Sequence, residues 1–217
     1  MLDADDEWVE LSHPNERDTV RMPFLPRPEM RTIPDAALRA TEVTIATHVG
    51  THVEAPKHRF PDGKTIDEYP PERWITHGHV VEVSASRDAP IEPEELVVPE
   101  AFERGDALLV RTGWEERVGE EAYFEPPYFS EATASKIADL GPSWVGIDAP
   151  TPEIPDVIGA TDSAYPIHSI LLGADVLIAE NLTNLESLVG QAVHVVALPL
   201  RFVGAEAANA RIVARPK

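Results

Sequence analysis

The residues at positions 47–60, THVGTHVEAPKHRF, constrain this chain more than any other stretch. They place His48, His52, Glu54 and His58 within eleven positions, although the whole sequence holds only eight histidines. Between them lie β-branched residues, a glycine and a proline, all of which disfavour a helix. The preceding residues alternate between apolar and polar, so the segment is predicted to be a strand that runs into an irregular loop. This density of histidine predicts a catalytic or metal-binding site.

The spacing of these side chains leaves two arrangements open. On an extended chain the even-numbered positions share one face, so all four side chains would point the same way. An unbent strand would still separate the Cα atoms of His48 and His52 by roughly 13 Å, too far for one ion with donors about 2.1 Å away. Either Gly50 bends the chain, or the two imidazoles serve two neighbouring ions with Glu54 as a bridge. An amphipathic helix with ordinary surface histidines is the alternative that the glycine and the proline disfavour.

The pattern HxGTHxEAPxH at 48–58, followed by FPDGKTID at 60–67, resembles the signature of the cyclase superfamily, which includes bacterial kynurenine formamidase and isatin hydrolase. The usual motif of that family is HxGTHxDAPxH. The resemblance implies that His48, His52 and Glu54 bind divalent metal and that His58 is the catalytic acid and base. Glu54 stands where the family more commonly has aspartate, and its longer side chain bears on the spacing and the choice of ions.

A second region, residues 161–188, is similar to the same family. In the family a histidine here, followed about a dozen residues later by a glutamate before an Asn-Leu pair, completes the metal site. The resemblance therefore implies that His168 and Glu180 are further ligands. Taken alone, they would more often be a core histidine and a solvated glutamate. Asp148, at the end of a predicted strand, and Asp162 are candidates to orient an imidazole through its other nitrogen.

Composition limits both the partners and the metal. The chain has 217 residues, a net charge of −20 and no cysteine. An acidic surface argues against nucleic acid, and no run of eighteen apolar residues predicts a membrane span. The acidic N-terminus lacks the apolar core of a signal peptide, so a cytoplasmic protein is expected. Nitrogen and oxygen donors suit one or two ions of Zn²⁺ or Mn²⁺.

The charged residues also have an unusual balance. Arginine outnumbers lysine fourteen to four, beside thirty-eight acidic residues. Lysine depletion in an acidic chain resembles proteins from salt-accumulating organisms, in which net charge is tied to solubility. The hypothesis is that unfolding becomes harder as KCl rises from millimolar to molar.

The remaining pattern predicts an α/β fold with a mixed, barrel-like sheet, and the resemblance implies the swivelling β/β/α type. The clearest helix is predicted over 130–140, with Ser130 as its N-cap and Gly141 as its stop. The length fits a single domain over 1–217, with a proline-rich and charged excursion at about 13–40. Strands are predicted at 7–12, 107–112, 144–148, 176–179, 191–200 and 211–214.

Four further histidines are assigned structural roles. His77 and His79 have a spacing that can bind metal, but no carboxylate lies nearby in the sequence. His194 lies inside a predicted buried strand. His13 is expected to be a turn residue beside Pro14, and a place at the site is the alternative that the resemblance implies.

Together these features predict a metal-dependent hydrolase of a small amide or lactam, such as an aryl formamide or an isatin-like compound. A bound cation would lower the pKa of water from 15.7 toward about 7, and His58 would transfer protons. The absence of a GxSxG motif gives no support to a serine nucleophile. The alternatives are a lactone hydrolase or dehydratase of the same superfamily, or a metal- or ligand-binding protein without turnover. The resemblance implies a homodimer or homotetramer.

Overall fold

The computed structural model of the protein describes residues 7–34, 37–155 and 165–217. These residues form short strands and two α-helices, joined by several 3₁₀ turns. In chain order the elements are β1 (Val9–Glu10), β2 (Glu29–Thr32), β3 (Thr41–Thr44), β4 (His52–Glu54), β5 (Ile75–Glu82), β6 (Pro90–Ile91), β7 (Ala107–Arg111), β8 (Tyr128–Phe129), α1 (Glu131–Leu140), β9 (Trp144–Ile147), α2 (Pro166–Gly173), β10 (Leu177–Glu180), β11 (Ala192–Pro199) and β12 (Ala207–Pro216).

Seven strands close into a mixed barrel-like sheet. They follow the order β12-β11-β5-β7-β9-β10-β4, and β4 pairs again with β12 to complete the ring. Strands β5, β7, β9 and β10 run parallel, whereas the other pairs around the ring are antiparallel. β1 extends the sheet beside β12. The expected α/β fold with a mixed, barrel-like sheet is confirmed.

The parallel strands β7, β9 and β10 are buried on both faces, which explains their nearly continuous apolar sequences. Leu109 of β7 points into a core enclosed by the barrel strands, together with Trp144 and Val195. Its neighbours Leu108 and Val110 point the other way, into a second core beneath α1 and α2. Because side chains alternate between the two faces of β7, this one strand contributes residues to both cores.

Helix α1 confirms the helix predicted over 130–140. The Ser130 hydroxyl accepts a hydrogen bond from the Thr133 N–H at 3.1 Å, a cap that typically stabilises a helix by about 1 kcal/mol. Gly141 ends the helix with φ +67°, a conformation that favours glycine. Within the described ranges, no helix is long and apolar enough to cross a membrane.

The N-terminal region is less regular than predicted. Of residues 7–12, only β1 forms a strand, and Ser12 makes an isolated bridge to Leu182. The excursion predicted at about 13–40 contains β2, which among the described strands pairs with β3 alone, in a separate, exposed hairpin.

Candidate metal centre

The turn before β4 shows how the histidine-rich segment is shaped. Gly50 adopts φ +66°, so the chain bends there, and the unbent strand of the second arrangement does not form. The bend brings His48 Nδ1 to 3.1 Å from His52 Nε2. Asn209 secures the turn by donating from Nδ2 to the Val49 carbonyl at 2.6 Å. The first of the two arrangements, a bend at Gly50, is the observed one.

Strand pairing adds the distant glutamate. β4 lies between β10 and β12, and Glu180 stands directly opposite His52 in the antiparallel register. Opposed residues share a face, so His52 Nε2 lies 3.4 Å from Glu180 Oε2. A single 3₁₀ turn, Pro56–His58, follows β4 and carries His58 back over the same face, with its Nε2 3.6 Å from Glu54 Oε1.

Helix α2 contributes the remaining histidine. His168 lies in its first turn, and its Nε2 is 3.2 Å from Glu54 Oε2 and 3.7 Å from Glu180 Oε1. The structure thus brings together all six side chains that the sequence analysis selected: His48, His52, Glu54, His58, His168 and Glu180.

The distances between the donor atoms fit a metal cation. His48 Nδ1, His52 Nε2 and Glu54 Oε1 form a triangle with sides of 2.9, 3.1 and 3.5 Å. Donors about 2.1 Å from a tetrahedral ion would stand roughly 3.4 Å apart. The donors form two overlapping groups that share Glu54: one adds His48 and His58, and the other adds His52 and Glu180.

Two buried oxygens at this cluster have no hydrogen-bond partner among the described residues. They are Glu54 Oε2 and Glu180 Oε1, each on a side chain that is at most 6% exposed. Leaving a buried carboxylate oxygen unsatisfied is costly, and bound cations would satisfy these oxygens. The residues present therefore fit a divalent metal held by nitrogen and oxygen.

The pKa values of the clustered side chains also indicate a site that favours positive charge. Burial lowers the pKa of His52, but hydrogen bonds and charge from Glu180 and Glu54 outweigh this and raise it to about 10. Burial raises the pKa of Glu54, yet the charges of His58 and His168 hold it well below its ordinary value. Buried carboxylates thus attract positive charge into this pocket.

His58 is the most exposed histidine of the cluster. Its side chain is 34% exposed, compared with 19% for His48, 6% for His168 and 1% for His52. Glu54 raises the pKa of His58, but burial and the charges of His48 and His168 bring it below its ordinary value. This histidine is placed to meet a molecule that enters from outside.

Two carboxylates beside the cluster were not predicted. Glu153 Oε2 lies 2.9 Å from His168 Nδ1, and Glu206 Oε1 lies 3.4 Å from His48 Nε2. Neither residue is part of a periodic pattern or of the histidine motif. The loop sequence APTPE could have indicated Glu153 only by its acid in an otherwise apolar, proline-rich run.

Asp148, one of the two acids predicted to orient an imidazole, has another role. Its carboxylate accepts hydrogen bonds from the Thr112 N–H and hydroxyl and from the Gly113 N–H, at 2.6 to 2.8 Å. It therefore holds the end of β7, and its prediction as a partner of a ligand histidine is wrong. Asp162, the other candidate, lies outside the described residues.

The histidines predicted to be structural lie outside the cluster. His77 and His194 face each other on β5 and β11, with ring centroids 4.8 Å apart. His79 Nε2 is 3.4 Å from Asp106. His13 lines a separate cavity of about 510 Å³, and its backbone N–H donates to Thr51 Oγ1 beside the Gly50 turn.

Comparison with known proteins identifies the family. The Cyclase family model matches residues 9–154, and the chain therefore belongs to the cyclase family, as a hydrolase. Kynurenine formamidase from Salinibacter ruber is 30% identical over 186 residues, which cover 83% of this chain and 82% of that protein. Kynurenine formamidase from Bacillus cereus is 25% identical over 214 residues, covering 97% and 98%. The fold resembles a solved isatin hydrolase bound to the product analogue thioisatinate, with a TM-score of 0.84, 20% identity, and coverage of 97% and 93%.

Proposed function

We propose that this protein is a metal-dependent hydrolase that cleaves the C–N bond of a small amide or lactam, such as an aryl formamide or an isatin-like compound. The observation that carries the proposal is the convergence of four histidines and two glutamates around two buried, unpartnered carboxylate oxygens. The relatives named kynurenine formamidase support the substrate class.

In this proposal His48, His52, Glu54, His168 and Glu180 hold one or two ions of Zn²⁺ or Mn²⁺. When bound, such a cation supplies Lewis-acid chemistry: it makes water acidic near neutral pH and polarises a carbonyl. Zinc and manganese both accept imidazole and carboxylate donors, so the ligand set supports either.

His58 is the proposed acid and base of the reaction. Its Nε2 faces the Glu54 carboxylate at 3.6 Å while part of its ring is open to solvent. From this position a neutral imidazole can take a proton from water and return it to the leaving nitrogen. Glu54 stabilises the imidazolium that forms between these two transfers, because the carboxylate lies close to the ring.

The remaining parts of the proposal concern the whole chain. We propose one domain over residues 1–217, a cytoplasmic location and a homodimer or homotetramer. The absence of cysteine means that no disulfide requires an oxidising compartment. The exposed β2–β3 hairpin, with Met30 51% and Val43 52% exposed, offers apolar surface to a second copy.

The test combines elemental analysis of the purified protein with a hydrolysis screen of an aryl formamide, isatin and a lactone. His58→Ala should retain its metal and lose hydrolysis, whereas His48→Ala and His168→Ala should lose metal. His77→Ala is the matched control, because it removes an exposed histidine outside the cluster. Full metal content in both ligand variants, or full activity in His58→Ala, would contradict the assignment. Preference for the lactone would move the substrate class to esters.

A further inference from the structure

Glu153 holds His168 from the side that faces away from the cluster. Its carboxylate is fully buried and accepts the His168 Nδ1–H at 2.9 Å. It also accepts the backbone N–H groups of Ile167 and His168, both at 3.1 Å, at the start of α2. An ionised carboxylate carries no proton, so it can only accept hydrogen bonds. The proton of a neutral His168 ring is therefore fixed on Nδ1, which leaves the lone pair of Nε2 toward Glu54.

Glu206 stands beside the outer nitrogen of His48, which is Nε2, whereas the outer nitrogen of His168 is Nδ1. His48 presents Nδ1 to the cluster, 2.9 Å from Glu54 Oε1, and presents Nε2 to Glu206 Oε1 at 3.4 Å. The Thr47 hydroxyl donates to the same Glu206 oxygen at 2.7 Å, which anchors the carboxylate. When a cation in the cluster takes the lone pair of Nδ1, the proton of a neutral His48 ring is on Nε2, where Glu206 accepts it.

We propose that Glu153 and Glu206 are positioning residues that fix opposite tautomers on two ligand histidines, so that His168 binds metal through Nε2 and His48 binds it through Nδ1. The proposal rests on the metal-dependent function above. His52 completes the set by a backbone contact, because its Nδ1 lies 2.9 Å from the Gly50 carbonyl. On each of these three ligand histidines, the ring nitrogen that faces away from the cluster then carries a proton that an oxygen accepts.

An outer carboxylate can strengthen metal binding in two ways, by ordering the ligand histidine before the ion binds and by making it more basic. An imidazole with a free tautomer and a free ring torsion must be ordered when the ion binds. An outer carboxylate orders it in advance and makes the ligating nitrogen a stronger donor. Loss of such a partner typically weakens metal affinity by about 10–100-fold.

The first experiment locates the ring protons. The zinc-loaded protein, labelled with ¹⁵N in its histidines, is examined by long-range ¹H–¹⁵N correlation spectra. We expect a proton on Nε2 of His48 and on Nδ1 of His168, with the other nitrogen of each ring bound to zinc. A proton on Nδ1 of His48 in the zinc-loaded protein would overturn the proposal while leaving metal binding intact.

The second experiment measures zinc affinity by competition with a chromophoric chelator. Glu206→Ala should bind zinc about 10–100-fold more weakly, whereas Glu206→Gln should stay close to the wild type, because its amide oxygen still accepts the Nε2–H. Both variants remove the same charge, so a simple electrostatic effect would weaken them equally and would contradict a positioning role. Glu186→Ala, which removes an exposed carboxylate on the 185–188 turn, is the control and should bind zinc normally.

Glu153→Ala is expected to weaken zinc binding by a similar factor, because no carboxylate oxygen is left to accept from the His168 ring. This glutamate also holds the start of α2, so the variant can fail to fold; in that case the Glu206 series decides the proposal. If Glu206→Ala binds zinc like the wild type, the proposal is wrong although the function stands. If the wild type binds neither zinc nor manganese, the proposed function and this inference both fail.

Discussion

Replacement of Gly50 should lower stability and disturb the metal cluster at the same time, because this glycine forms the bend between His48 and His52. Its φ of +66° is a left-handed conformation, which costs a residue with a Cβ about 1–2 kcal/mol. An added Cβ would also stand 2.8 Å from Thr19 Cγ2 and 2.9 Å from Asn15 Oδ1, closer than normal packing allows. Moving these neighbours costs roughly a further 1–3 kcal/mol. Gly50→Ala should therefore lower the free energy of unfolding by about 2–5 kcal/mol.

The measurement is urea unfolding of the metal-free protein, and the control is Gly190→Ala. Gly190 has a similar φ of +76°, but no atom lies within 4 Å of the position its Cβ would take. This control should lose only the conformational part, about 1–2 kcal/mol. Gly50→Ala should also weaken zinc binding, because relaxing the bend moves His48 away from His52. Equal losses in the two variants, with unchanged zinc affinity in Gly50→Ala, would refute the argument that contacts at this turn shape the site.

Three further predictions concern conditions rather than packing. Burial raises the pKa of Asp148 from 3.8 to about 6, so the folded state binds this proton more tightly than the unfolded state does. The protonated side chain therefore stabilises the folded protein below about pH 4, and this stabilisation is lost as the pH rises through about 6. At about 1.4 kcal/mol per pKa unit, the free energy of unfolding of the wild type relative to Asp148→Asn should fall by about 3 kcal/mol between pH 4 and pH 6. Urea unfolding measured across this range tests it, and a difference between the two proteins that does not change with pH would contradict it. Removing metal with EDTA should lower the thermal midpoint, because a ligand at 100 times its Kd stabilises the folded state by about 2.7 kcal/mol, and an unchanged midpoint in calorimetry would speak against a bound ion. Unfolding in urea should become harder as KCl rises from millimolar to molar, because screening relieves the repulsion of a chain with a net charge of −20; a midpoint independent of KCl would remove the high-salt hypothesis.

The parts of the fold predicted well were those with a strong local signal. Helix α1 has an N-cap, an apolar stripe and a terminal glycine, so its bounds could be read from the residues alone. The buried strands β7, β9 and β10 were marked by short apolar runs. β1 was predicted too long, because alternation over residues 7–12 does not reveal how many of them find a partner strand.

The geometry of the histidine motif shows where local reasoning stops. Alternation through 48–58 suggested one continuous face, and Gly50 was recognised only as one of two possibilities. The choice between them depends on the Asn209 amide and on the packing of residues 15 and 19 against the turn. These contacts join positions far apart in the chain, and no periodicity in the sequence records them.

The sequence by itself determined the donor inventory: nitrogen and oxygen ligands without thiols, concentrated in one motif whose glycine and proline disfavour an α-helix. It also determined, through the motif, which residues to expect at the site. Only the tertiary structure decided that Glu180 stands opposite His52. It also decided that Glu153 and Glu206, and not Asp148, lie beside the outer nitrogens of two imidazoles. The physical reason is that side-chain chemistry is a local property, whereas a donor triangle with sides near 3 Å exists only when strand register and helix packing bring distant residues together.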